Sequence, residues 1–212
     1  RELIVMAKQT LLITGCSGMV GRNILEHPSA ENWNILAPGS HELDLMNAHV
    51  VDNYVASHKP DLIVHAAGQV GGIQANIAHP VAFFERNATM GRNIVMAAYK
   101  AGIRRFINLA SSCMYPRAGI NPLREEMILT GELEPTNEGY ALAKIMTTRL
   151  CQYIRREDES AHYKTLIPCN LFGRHDKFDP KHSHLLPAII HKMHCAKVNS
   201  EPTVEISVSY TH

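Results

Sequence analysis

The sequence predicts an α/β protein built on a doubly wound, Rossmann-like parallel sheet. Three observations predict it. Short apolar strands alternate with helical stretches. Gly15, Gly18 and Gly21 stand directly after the first of those strands. Tyr140 and Lys144 lie four positions apart in a later helical stretch. Strands that alternate with helices pair in parallel, with the crossover helices packed on both faces of the sheet.

The elements follow in order. Thr10-Leu11-Leu12-Ile13 reads as a buried strand and Met19 to Glu26 as the helix after it. Asn34 to Ala37 is a second strand, ended by Pro38-Gly39. Ala48 to His58 has helical periodicity and stops before Pro60, and Leu62-Ile63-Val64-His65 is a third strand. Pro80 suits the first turn of a long helix reaching towards Ala101, with an interruption expected near Asn87. Phe106 to Leu109 is the next strand, Asn137 to Arg156 a helix, and Thr165-Leu166-Ile167 a further strand. Pro116 to Thr136 reads as a surface excursion and Gly173 to His184 as a polar, His-rich loop. Pro187 to Lys197 looks helical, and residues 203–208 alternate like a strand. We place a dinucleotide-binding domain at residues 1–172 and the beginning of a substrate-binding region at 173–212.

Composition narrows the function. The 212 residues carry 21 basic and 20 acidic side chains, a formal charge of +1, with 45% hydrophobic residues. That balance suits an ordinary globular domain and gives no concentrated basic face for nucleic acid. No apolar stretch is long enough to span a bilayer, and no signal peptide is visible. Met6 is the expected natural start, with residues 1–5 an extension. Five cysteines, Cys16, Cys113, Cys151, Cys169 and Cys195, include no C-x-x-C pair, which points to a reduced, cytoplasmic protein.

The chemistry is carried by three groups of residues. Glycines at 15, 18 and 21 between a strand and a helix permit a tight turn through which backbone N–H groups reach a pyrophosphate. The bland alternative is a glycine-rich turn without a ligand. Nucleotide sites of this kind often carry an acid after the second strand. Here the chain reads Ala37-Pro38-Gly39-Ser40-His41, and Asp44 is better placed for the adenine end.

Tyr140 and Lys144 share a helix face, where an ammonium favours the phenolate and makes a proton-transfer unit. Ser111, 29 residues earlier, follows a strand at the carboxyl edge of the sheet and could donate a hydrogen bond to a substrate carbonyl. Cys113 could exchange protons, or could be one more small buried residue. His191, His194 and Cys195 could share a helical face, but no second ligand pair completes a metal site, so no metal is expected.

Taken together, the blocks Gly15–Gly21, Val70-Gly71-Gly72-Ile73, Ser111-Ser112-Cys113-Met114-Tyr115-Pro116, Glu134 to Lys144, Pro168 to Gly173 and His175 to Phe178 occur in an order that resembles the GDP-L-fucose synthase family of extended short-chain dehydrogenase/reductases. The resemblance covers about residues 10 to 197. It implies an enzyme that is oxidoreductase and isomerase together, epimerising C3 and C5 of GDP-4-keto-6-deoxy-mannose and reducing C4 with NADPH.

By that resemblance Tyr140 protonates the C4 oxygen, Lys144 holds the nicotinamide ribose and lowers the tyrosine pKa, and Ser111 bonds the ketone. Cys113 serves as base and His184 as acid in the epimerisations. Gly15, Gly18, Met19, Val20, Gly21, Asp44, Lys144, Pro168 and Asn170 would hold the cofactor. Val70, Gly71, Gly72, Asn170 and Lys192 would hold the GDP-sugar. A homodimer formed by the stretches 79–101 and 137–156 is implied too.

Two departures stand out. Relatives that use NADP carry an arginine in the glycine loop and another after the second strand, where this chain has Ser17 and the stretch from Pro38 to His41. NADP is therefore expected from the family alone, with NAD not excluded. After Lys197 the family's Trp-Gly-x-Gly strand does not appear, since Trp33 is the only tryptophan, so an incomplete substrate-binding part is expected. The alternatives kept open are a related GDP-sugar enzyme, such as one making GDP-colitose, and a non-catalytic dinucleotide-binding module.

Overall fold

The computed structural model describes residues 7–178, 183 and 185–205. Five strands, Thr10–Thr14 (β1), Asn34–Leu36 (β2), Leu62–His65 (β3), Arg105–Leu109 (β4) and His162–Leu166 (β5), form one parallel sheet in the order β2-β1-β3-β4-β5. The helices are Met19–Leu25 (α1), Ala48–His58 (α2), Ile73–Ala78 (α3), Pro80–Lys100 (α4), Glu138–Glu157 (α5) and Leu185–Asn199 (α6).

The pleat sends alternate strand residues to opposite faces. On one face Leu12, Ile63, Phe106 and Tyr163 pack with Val51 and Val55 of α2, Ile94 and Val95 of α4, and Cys151 and Ile154 of α5. On the other face Leu11, Ile13, Leu62 and Val64 pack with Ile24 and Leu25 of α1 and with Trp33, Ile35 and Ile107. Full burial of one such side chain contributes about 1.5–3 kcal/mol, so this double-sided core fixes the register of the three inner strands. A third cluster sets Ile128 and Leu133, inside the 116–136 excursion, against Met114, Ala141 and Ile145. The excursion is thereby anchored on α5.

Several elements differ from their expected extent. β5 begins at His162, three residues earlier than Thr165. It is an edge strand whose outer residues His162, Lys164 and Leu166 are exposed, so only Tyr163 carries a core signal. α3 was not anticipated, being a single short stretch between Gly72 and Pro80. α4 runs without interruption through Asn87. Residues 203–205 are not strand, and 206–208 lie outside the described residues.

The order of the strands sets the position of the site. From β1 the chain moves to β2 on one side and, through α2, to β3 on the other. The carboxyl ends of β1 and β3 therefore flank a crevice, where open α/β sheets bind their ligands.

Candidate active site

Gly15 leaves β1 with φ +74°, and a Cβ there would lie 2.6 Å from the backbone nitrogen of Ala67, just past β3. Only glycine allows β1 and β3 to turn away from each other so closely. Gly21 is buried in α1, and a Cβ on it would overlap the carbonyl oxygen of Gly15. Gly18 forms the N-cap of α1 without a side-chain hydrogen bond and donates its own N–H to the Gly15 carbonyl at 3.1 Å. The first N–H groups of α1 are thus left free of side-chain caps, a backbone arrangement that fits the pyrophosphate of a dinucleotide. Met19 and Val20 occupy the first turn of α1. They also line a largely apolar cavity of about 440 Å³ with Leu11, Trp33 and Phe172.

Asp44 is exposed between the buried Leu43 and Leu45, and its Oδ1 accepts the Met46 N–H at 2.9 Å. The loop before it is closed by Cys16, whose thiol donates to the carbonyls of Ala37 and Pro38 at 3.3 and 3.4 Å.

The far wall of the crevice is built by β4, α4 and α5. The chain leaving β4 is clamped to the chain leaving β5: Ala110 donates to Leu166 and Ser112 to the Pro168 carbonyl, at 2.9 and 3.2 Å. This sets Pro168 beside Ser111, while Asn170 is exposed at the following bend. Ser111 Oγ accepts the Cys113 N–H at 3.3 Å and so caps a short 3₁₀ turn, Ser112–Met114. That cap presents Ser111 and Cys113 on one wall. Asn137, immediately before α5, donates its side-chain N–H to Cys113 Sγ at 3.2 Å.

Tyr140 and Lys144 lie one turn apart on α5, as expected, with Lys144 Nζ 5.8 Å from the phenol ring centre. Tyr140 is half-buried and lies beside the Ser111 side chain. Its pKa is pushed up to about 12, chiefly by burial and then by the negative charge available at Cys113, against the lowering effect of Ser111. The expected lowering by Lys144 is not what the free chain shows. Lys144 is itself buried, which pulls its pKa down to about 8, and its ammonium donates to the Leu109 carbonyl at 2.9 Å. At neutral pH the phenol therefore holds its proton, the form needed to act as an acid. One of the three lysine donors is spent on Leu109, which leaves two that fit the hydroxyls of a ribose.

Three contributors escaped the sequence reading. Asn87, in mid-α4, takes the Gln69 N–H on its oxygen at 2.9 Å and donates to the carbonyls of Gln69 and Phe83 at 3.1 and 2.7 Å. It thereby pins the chain after β3 over Lys144, where a Cβ on Gly68 would meet Asn87 Oδ1 at 3.0 Å and Lys144 Nζ at 3.6 Å. Asn76 of α3 is buried and holds the carbonyls of Gly71 and Gly72 at 3.0 and 3.1 Å. Val70, at the start of that loop, is exposed. His65, at the end of β3, is fully buried and shares a 2.8 Å hydrogen bond with Thr14 of β1. Burial, and secondly the charge of Lys144, pull its pKa down to about 3, so the imidazole stays neutral. The only sequence signal for the two asparagines is an amide inside an otherwise helical run.

The remaining expected residues lie apart from this cleft wall or outside the described residues. His184 falls outside them. Lys192 is on α6 and donates to the Glu205 carbonyl at 3.0 Å. Residues after Gly173 are tied to α1: Asn23 donates to the Arg174 carbonyl at 2.9 Å, and Glu26 pairs with His175 at 2.6 Å. Among the described residues no three His, Cys, Asp or Glu side chains cluster as metal ligands, and no helix is long and apolar enough to cross a membrane.

Comparison with known proteins agrees with this geometry. The model of the NAD dependent epimerase/dehydratase family matches residues 11–208. The chain is 52% identical over 196 residues to a GDP-L-colitose synthase of Yersinia pseudotuberculosis, covering 92% of this chain and 64% of the relative. It is 51% identical over 196 residues to a GDP-L-fucose synthase of Azorhizobium caulinodans, covering 92% and 62%. A solved GDP-L-fucose synthetase of Naegleria fowleri bound to NADP superposes with a TM-score of 0.82 at 29% identity, covering 93% of this chain and 61% of that one. The chain thus spans rather less than two thirds of the length of the curated relatives it matches.

Proposed function

Since this chain belongs to the NAD dependent epimerase/dehydratase family, we propose that it acts on a GDP-linked 4-keto-6-deoxy sugar, epimerising C3 and C5 and reducing C4, to give GDP-L-fucose. The observation that carries this reading is the convergence of Ser111, Cys113 and Tyr140 on one half-buried wall beside the crevice at β1 and β3. A simple binding module has no need of an acid, a thiol and a hydroxyl gathered on one wall. The backbone of Gly15, Gly18 and Gly21 would cradle the pyrophosphate of NADP, and the two free donors of Lys144 would hold its ribose. That cofactor, when bound, supplies hydride to C4.

The protein's own groups do the rest. Protons beside a ketone are acidic because the resulting charge spreads onto oxygen. Cys113 removes one from C3 or C5 as thiolate and becomes thiol. Ser111 donates a hydrogen bond to the oxygen where charge collects. A proton returned to the opposite face inverts the centre, and His184 is assigned to that step. In the reduction Tyr140 gives its phenolic proton to the C4 oxygen, and Lys144 stabilises the phenolate left behind.

We assign residues 173–212 to the beginning of the sugar-binding part. We assign the dimer face to α4 and α5, where Val81, Phe84, Leu142, Met146 and Tyr153 are exposed apolar or aromatic side chains. A C2 dimer would bury them against their own copies.

The near-equal identity to a colitose and a fucose enzyme supports a second substrate, the ketosugar precursor of GDP-L-colitose. The test is incubation with each GDP-ketosugar and NADPH in D2O, followed at 340 nm and by mass. Oxidation of NADPH with deuterium at C3 and C5 supports the fucose reading, and oxidation only with the colitose precursor supports the second. NADPH binding measured by calorimetry, with no turnover on either sugar, marks a non-catalytic dinucleotide module.

A further inference from the structure

Among the residues around the thiol, Asn137 has no part in the roles set out above. We infer that Asn137 is a positioning residue for Cys113, its side-chain amide holding the sulfur in the orientation that the epimerase reading requires of it. The inference rests on that reading for the purpose of the contact, but not for the contact itself.

Three observations carry it. First, Asn137 Nδ2 donates to Cys113 Sγ at 3.2 Å across 24 residues of chain. A donor aimed at sulfur stabilises negative charge there more than it stabilises the thiol. Second, Asn137 Oδ1 is buried and has no hydrogen-bond partner among the described residues. Leaving an amide oxygen unpaired is costly, and a stability role alone would favour an apolar side chain or a paired one. Third, Asn137 is held on both sides. It ends the 3₁₀ turn Pro135–Asn137, its N–H bonds to the Glu134 carbonyl at 3.2 Å, and α5 starts at the next residue.

The same turn therefore delivers Asn137 to the sulfur and starts the helix that carries Tyr140. Cys113 is fixed from the other side by its N–H bond to Ser111 Oγ at 3.3 Å. Ser111 thus fixes the backbone of Cys113, and the Asn137 amide is the contact that touches its sulfur.

The experiment compares wild type with two variants that keep the branching of the side chain, Asn137→Leu, which removes the donor, and Asn137→Asp, which replaces it with a negative charge. Iodoacetamide labelling at pH 7.5 is read by mass spectrometry of the Cys113 peptide, with the exposed Cys169 as internal standard. Cys113 should label about tenfold more slowly in Asn137→Leu and more slowly still in Asn137→Asp, each relative to Cys169. Should the leucine variant not fold, as judged by circular dichroism, the aspartate variant decides. Labelling within twofold of wild type in the folded variants overturns the inference.

Deuterium uptake at C3 and C5 separates the two ideas. The labelling order without exchange in any protein, wild type included, leaves the positioning role standing and removes the epimerase reading. Exchange in wild type, with unchanged labelling and exchange in Asn137→Leu, removes the positioning role alone.

Discussion

The ammonium of Lys144 is hydrogen-bonded to the carbonyl oxygen of Leu109, 2.9 Å away, so helix α5 is tied to the end of β4 by the residue expected to serve the cofactor. Burial lowers the lysine pKa from its ordinary 10.5 to about 8. Between these two values the unfolded chain binds the proton that the folded chain has released. Stability therefore rises with pH across the window from about 8 to 10.5, and the penalty is full below it. Urea unfolding at pH 7.5 and 9.5 should show wild type gaining on Lys144→Met by on the order of 1–2 kcal/mol, since a tenfold change in proton affinity is worth about 1.4 kcal/mol. Parallel curves for the two proteins would remove the claim.

His65 works in the opposite direction. Its folded pKa, about 3, lies far below the ordinary 6.5. As pH falls through 6.5 the unfolded chain takes up a proton that the buried ring refuses, so stability is lost progressively towards pH 3. Thermal unfolding between pH 7 and 4 should show a steeper loss for wild type than for His65→Gln. An equal slope means that the ring is solvated.

Tyr140→Phe removes the phenolic proton assigned to the C4 oxygen and nothing else of size. Turnover of the GDP-ketosugar should fall by about 10²–10⁴-fold, with NADPH affinity close to wild type by calorimetry.

Cys113→Ser separates the two halves of the reaction. Deuterium incorporation at C3 and C5 should drop far more than the rate at which an already epimerised ketosugar is reduced. Survival of both exchange rates would assign the base elsewhere.

Gly21→Ala places a methyl group against the Gly15 carbonyl, which is backbone and cannot turn aside. The expected loss is about 1–3 kcal/mol of stability, with weakened NADPH binding. Gly72→Ala, around which nothing lies within 4 Å, should be nearly neutral in the same unfolding measurement.

Much of this architecture was legible from local pattern. β1, β3, α2 and the span of α5 are bounded by glycine, proline or a clean change of period, and the glycine turn with the Tyr140–Lys144 pair located the crevice. The misreadings have physical causes. β5 is an edge strand with polar outer residues, so its first half carries little apolar signal. Asn87 looks like a helix breaker, yet its amide is fully used in holding Gln69 and Phe83, and the helix continues through it. The pKa of Tyr140 depends on how deeply α5 sits and on the Cys113 and Ser111 side chains that face the phenol. Both are tertiary facts that spacing of four cannot report. The contact between Asn137 and Cys113 spans 24 residues and is invisible to any periodicity.

One more consequence comes from the crossing of the two longest helices. At Gly91 of α4 a Cβ would overlap Thr147 Oγ1 of α5, whose hydroxyl donates back to Ala143 at 3.1 Å. The helix that carries Tyr140 is therefore seated against α4 by a close contact at Thr147, two turns from the phenol. A methyl group at residue 91 would act as a shim, lifting Tyr140 from its seat without altering the phenol itself.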